Sequence, residues 1–251
     1  MARNSRPGQA TRRRAELRRN ERILCVSDLH APYMHPDTAD FLDAVRQEYK
    51  PTRVVLLGDE VDHHAMSFHD SDPDLYSAGD ELVAAIARLK PLYRMFPKAD
   101  ILDSNHGSMS YRKAKHHGVP RKYLRDYGEV LDAPAGWRWH DELILDVPGG
   151  NQVFFHHGLA KDVMKVVAQR GMCVVQGHYH TEFRVGYLGN PNHLLWGLQV
   201  GCSIDGKALA FAYDKVNLGR PVIGHGLILG GIPQLLPMVL DKAGRWTGTV
   251  P

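Results

Sequence analysis

The 251-residue chain is poor in cysteine, with only Cys25, Cys173 and Cys202. Three such scattered residues cannot build a disulfide framework. Each sits in an apolar, strand-like run, so they read as reduced core residues of a cytosolic protein. An uninterrupted apolar run of membrane-spanning length is also missing. The longest apolar tract, residues 221–240, is broken by His225, Pro233, Pro237 and several glycines. It reads as paired strands rather than a membrane span, with a homodimer contact as the alternative use of its apolar surface. No apolar segment follows the arginine-rich start, so a signal peptide is not expected and the location is read as cytoplasmic. Internal repeats and low-complexity segments are absent as well.

What remains is a composition ordinary for a globular protein, with an uneven charge layout. Residues 1–22 carry eight arginines against Glu16 and Glu21, or +6 of a formal total of +3, leaving −3 for the rest. Such asymmetry points to a polyanion partner. We read residues 1–22 as a basic arm, either disordered or helical over residues 11–20 on a phosphate backbone. Residues 23–251 form one domain.

Within that domain, residues 23–27 form a strand. Asp37 caps a helix running to about Glu48. Residues 53–57 are a short apolar, β-branched run ending in Gly58-Asp59-Glu60-Val61-Asp62, a buried strand delivering carboxylates to a sheet edge. Apolar residues at helical spacing run from Gly79 to about Phe96, with Pro91 kinking or ending the helix. A third strand covers residues 99–102. Alternating strands and helices imply parallel pairing. Residues 112–127 are basic, partly helical and interleaved with aromatics. The second half differs, with a hairpin over residues 143–156, a helix over 160–169, a strand over 172–176 and a second hairpin over 183–200. The fold class is α/β, with two facing mixed sheets and helices outside.

Every candidate ligand lies just after an expected strand: Asp28 and His30, Asp59, Asn105, His157, then His178 and His180. A single histidine there is an ordinary loop residue. Five sites sharing one position relative to their strands converge on one edge. Mixed imidazole and carboxylate donors without thiolate suit Mn, Fe, Zn or Ni over a structural zinc.

These motifs, Asp28-Leu29-His30, Gly58-Asp59-Glu60-Val61-Asp62, Asn105-His106, His157-Gly158 and Gly177-His178-Tyr179-His180, resemble in order those of the calcineurin-like metallophosphoesterase superfamily. The sequence is similar to its compact members of the kind found in bacteriophage genomes, which would place it in the host cytoplasm. The resemblance implies a four-layer αββα sandwich and two divalent cations, manganese first. Asp28, His30 and His180 would hold one cation, and Asn105, His157 and His178 the other. Asp59 would bridge them. His157 is preferred to His156 because the ligand in that superfamily directly precedes the glycine. His106 would be the general acid, its ring oriented by Asp62, and a hydroxide bridging the metals would attack phosphorus in line.

Two departures stand out. Ser104 and Gly107 flank Asn105-His106 where the superfamily often has glycine and an acidic residue, which would loosen that loop. His63 and His64 follow Asp62 where protein phosphatases have Arg-Gly. That argues against a protein phosphatase and leaves His63 and Arg112 as candidate substrate contacts. With the basic head and the 112–125 stretch, the leading expectation is a phosphodiesterase acting on nucleic acid, DNA before RNA. The alternatives are a phosphomonoesterase or cyclic-nucleotide diesterase, and a non-catalytic nucleic-acid-binding module.

Overall fold

The computed structural model describes residues 12–16, 21–68, 74–147, 151–189, 191–209 and 220–251. Two six-stranded mixed sheets make up its centre. The first contains β2 (Arg22–Val26), β3 (Arg53–Leu56), β4 (Lys98–Leu102), β5 (Gly136–His140), β11 (Gly224–Leu229) and β12 (Ile232–Pro237), in the order β12-β11-β2-β3-β4-β5. The run β2-β3-β4-β5 is parallel, and β11 closes it with antiparallel pairing on β2.

The second sheet contains β1 (Arg12–Glu16), β6 (Glu142–Asp146), β7 (Gln152–His156), β8 (Cys173–Gln176), β9 (Arg184–Gly189) and β10 (Leu194–Gln199), in the order β1-β6-β7-β8-β10-β9. Both hairpins read from the sequence, β6–β7 and β9–β10, are antiparallel pairs. Their turn residues 148–150 and 190 lie outside the described residues.

Side-chain alternation on β2 shows why the sheets stack. Ile23 and Cys25 join Leu143, Phe155, Val175 and Leu198 in the core between the sheets. Leu24 and Val26 point the other way, onto Phe41, Leu42 and Val45 of helix α1 (Thr38–Tyr49) and Leu89 and Leu92 of α2 (Ala78–Met95). A strand with both faces buried reads as a continuous apolar run, as these do. Helix α5 (Val163–Arg170) covers the outer face of the second sheet over β8, β9 and β10. The layering is therefore helix, sheet, sheet, helix. All three cysteines are free and buried. Among the described residues no helix is long and apolar enough to cross a membrane.

Four expectations change. Residues Arg12–Glu16 form a strand, not a helix, and extend the second sheet by parallel pairing on β6. Arg22 opens β2, so part of the basic head belongs to the fold; most of the remainder lies outside the described residues. Asp37 precedes α1 but makes no side-chain cap; its carboxylate instead accepts from Arg245 and the Trp246 amide. Pro91 does not end α2, which runs on to Met95. Leu89 and Leu92, buried on either side of the proline, hold the helix to the core and override the lost hydrogen bond. The remaining helices are α3 (Met109–His116), α4 (Tyr127–Val130) and α6 (Gly206–Leu209). Residues 221–240 are indeed paired strands, β11 with β12.

Candidate metal centre

Three adjacent parallel strands of one sheet and two of the other end at one place. After β2 come Asp28 and His30, after β3 Asp59 and Asp62, and after β4 Asn105 and His106. After β7 comes His157, and after β8 come His178 and His180. Parallel pairing puts these C-terminal ends on one edge, where open sheets present ligands.

The backbone there is unusual. Asp28, His30, Asp59, His63 and His178 all have positive φ, between 48° and 68°. Side chains other than glycine adopt this left-handed region at a cost, and such strain gathers at functional sites. Glycines make the close approaches. Gly58 has φ 99°, and a Cβ there would overlap Ser104. A Cβ on Gly177 would overlap Ser27 Oγ and the Asp28 carboxylate.

Asp28 divides its two oxygens. Oδ2 accepts from the His178 amide at 2.9 Å and from the Ser27 hydroxyl. Oδ1 is left facing His180 Nε2 at 3.1 Å and His30 Nε2 at 3.8 Å. Burial opposes its charge, but His180 and His30 outweigh burial and carry the carboxyl well below the usual range. Asp59 divides its oxygens in the same way. Oδ1 accepts from the His106 amide at 3.1 Å. Oδ2 stands 3.6 Å from His30 Nε2 and 3.2 Å from His157 Nε2. One oxygen thus meets one histidine of each expected ligand set.

The rings are turned by their outer nitrogens. His30 Nδ1 bonds Asp62 Oδ1 at 2.6 Å, which leaves its buried Nε2 without a hydrogen-bond partner. His157 Nδ1 donates to the Leu57 carbonyl at 2.8 Å. In the neutral ring His157 Nε2 is then an acceptor, yet it faces Asn105 Oδ1 at 2.7 Å and Asp59 Oδ2. His178 Nδ1 lies 3.1 Å away. Acceptors converging on one buried point call for a cation between them. In a bare protein a proton fills that need: burial disfavours a charged ring, but Asp59 outweighs it and His157 is pushed up to about 9. Asp28, His30 and His180 form one group able to hold a metal ion, and Asp59, His157 and His178 form another. Hard and borderline donors, one orphaned imidazole nitrogen and a shared carboxylate oxygen fit a pair of divalent cations.

All seven expected ligands meet here, and the other expected residues surround them. His106 is half-buried, its ring 4.8 Å from that of His30. Its orientation refines one expectation, since Asp62 does set the ring but through its backbone. His106 Nδ1 bonds the Asp62 backbone carbonyl, while the Asp62 carboxylate serves His30. Ser104 corrects another: instead of loosening its loop, Ser104 Oγ accepts from the Asp59 amide at 2.9 Å and the Gly107 amide at 3.0 Å. Nothing in the spacing announces that role; a hydroxyl beside a ligand loop is the only hint. His156 turns aside, stacked on Phe154.

His63 is buried, 3.3 Å from the Tyr127 hydroxyl, and burial brings it down to about 4. Arg112 is exposed and donates to the Asn105 carbonyl at 3.3 Å, at the rim of the centre.

No protein-family model and no curated protein matches the sequence. Solved structures do. Vacuolar protein sorting 29 from Cryptosporidium parvum is similar over 92% of this chain and 95% of its own, at 12% identity and a TM-score of 0.47. Yfce, a phosphoesterase from E. coli, is similar over 90% of this chain and 96% of its own, at 12% identity and TM-score 0.45. Likenesses this distant carry no argument about activity, which rests on the site itself.

Proposed function

We propose that this chain is a two-metal phosphodiesterase of the calcineurin-like metallophosphoesterase type, of the compact kind found in bacteriophage, and that it hydrolyses nucleic acid. The observation that carries this reading is Asp59 Oδ2, within 3.6 Å of His30 Nε2 and 3.2 Å of His157 Nε2.

In this reading Asp28, His30 and His180 hold one divalent ion, and Asn105, His157 and His178 the other, with Asp59 shared. When bound, such a pair supplies Lewis-acid charge and lowers the pKa of a coordinated water. The chain's own groups do the rest. Asp62 keeps the His30 ring aimed inward and prevents its Nδ1 from competing as a donor. Ser27 and the His178 amide hold Asp28 Oδ2, so that only Oδ1 turns to the centre. His106 keeps its Nδ1 proton on the Asp62 carbonyl. Its Nε2 is then the proton-exchanging atom, and it delivers a proton to the departing ester oxygen.

The arginine-rich head supports a polyanionic substrate, since clustered guanidinium groups neutralise successive phosphates without reading sequence. A panel assay with Mn²⁺ tests the reading: linear and circular DNA, single strands, RNA, cyclic nucleotides and a phosphomonoester. Cleavage of a nucleic acid supports it. Turnover of only cyclic nucleotides or monoesters would replace it with a small-molecule phosphoesterase.

A further inference from the structure

We infer that Phe68 and the exposed side of α3 form a stacking platform for one unpaired nucleobase, with Arg112 and Lys113 holding the phosphates that flank it. This inference rests on the nucleic-acid reading above and gives it a strand preference.

The observations form a track leading out of the metal centre. Helix α3 starts at Met109, just past His106. Its Arg112 touches the Asn105 carbonyl at 3.3 Å. The Arg112 guanidinium carbon lies 5.1 Å from the centre of the Phe68 ring, and Lys113 Nζ lies 4.4 Å from it. One turn further on, the His116 ring meets Phe68 edge-on at 6.4 Å. Phe68 is 49% exposed and belongs to neither hydrophobic core. Burial therefore gives no reason for an aromatic ring at this position.

The charge along α3 and the residues that follow it is of one sign. Residues 109–125 hold six lysines and arginines and no acidic residue. Among the described residues only Arg125 of these six has a carboxylate within ion-pair distance, on Glu129 at 3.8 Å. Cations beside an exposed ring, with no carboxylate partner among the described residues, match the chemistry of a single strand: a flat base with phosphates alongside it. A paired base keeps its faces inside the duplex stack and cannot use such a ring. Tyr123, 72% exposed with Lys122 Nζ 5.3 Å from its ring, repeats the pairing of ring and cation further along the chain.

The test is fluorescence anisotropy with the full chain in EDTA, which keeps the strand intact, using a labelled single-stranded oligonucleotide and its matching duplex. Phe68→Ala is expected to weaken single-strand binding about tenfold or more and duplex binding less than about twofold. Phe68→Trp is expected to bind the single strand at least as tightly as the native chain. Lys113→Ala is expected to lower the slope of log affinity against log salt by about 0.7. Unchanged single-strand binding by Phe68→Ala would overturn the proposal, as would equal weakening by the alanine and tryptophan variants. Turnover of a small chromogenic diester by the native chain with Mn²⁺ is scored separately. Its absence would remove the enzymatic reading without touching the binding result.

Discussion

His157 Nε2 stands 3.2 Å from Asp59 Oδ2 while its Nδ1 donates to the Leu57 carbonyl. These two contacts turn Nε2 towards a carboxylate oxygen, a pairing that a proton or a cation must bridge. Asp59→Asn removes the charge that makes this point attractive to a cation. The expected outcome is loss of bound manganese from the purified protein, read by elemental analysis, and at least about a hundredfold loss of phosphodiester turnover. Retention of full metal content would contradict the shared role of Asp59.

Asp62 separates two jobs. Its carboxylate orients His30 and its backbone carbonyl orients His106. Asp62→Ala removes only the first. We expect metal affinity, measured by titration, to fall about 10–100-fold. With metal in excess, turnover of esters with poor leaving groups should be kept. A selective loss for those esters would mean that the carboxylate, not the carbonyl, sets the His106 ring.

His106→Ala should retain metal and lose about 10²–10⁴-fold in turnover, most for esters with poor leaving groups, because general acid catalysis matters most there. Equal loss across leaving groups, or loss of a metal ion, would place His106 among the ligands instead.

The glycine before His178 has a packing role. Gly177→Ala would push a methyl group into Ser27 Oγ and the Asp28 carboxylate. Destabilisation of about 1–3 kcal/mol by denaturant unfolding is expected, together with weakened metal binding. Unchanged metal affinity would show that Asp28 can move without consequence.

The C-terminal segment is tied to the start of α1 by Arg245 on Asp37. The arginine outweighs burial and holds the Asp37 carboxyl down to about 2. A depressed carboxylate contributes stability above its unfolded value near 3.8, and that contribution disappears as pH falls through about 2. Asp37→Asn should therefore lower the melting temperature near neutrality by up to about 4 °C. The gap from the native chain should close on acidification. A gap independent of pH would assign the effect to packing.

The fold class and the positions of the candidate donors were both legible in the sequence. Asp28, Asp59, Asn105, His157 and His178 each follow a short apolar run, so strand position and donor chemistry could be read together. The contacts that tune them were not visible, because they link residues far apart in the chain: Ser104 with Asp59, Asp62 with His30, Leu57 with His157. Strand β5 escaped notice because Gly-Trp-Arg-Trp-His mixes a charge into a short edge strand. The strand Arg12–Glu16 escaped notice because an arginine-rich stretch has neither the composition nor the alternation of a strand. Its pairing with β6 is a tertiary choice.

Anomalous diffraction from crystals of the manganese-loaded protein would locate the cations. Two peaks are expected, one among Asp28, His30 and His180 and one among Asn105, His157 and His178, with the Asp59 carboxylate coordinating both. A single peak, or an Asp59 carboxylate bound to neither ion, would contradict the two-metal reading.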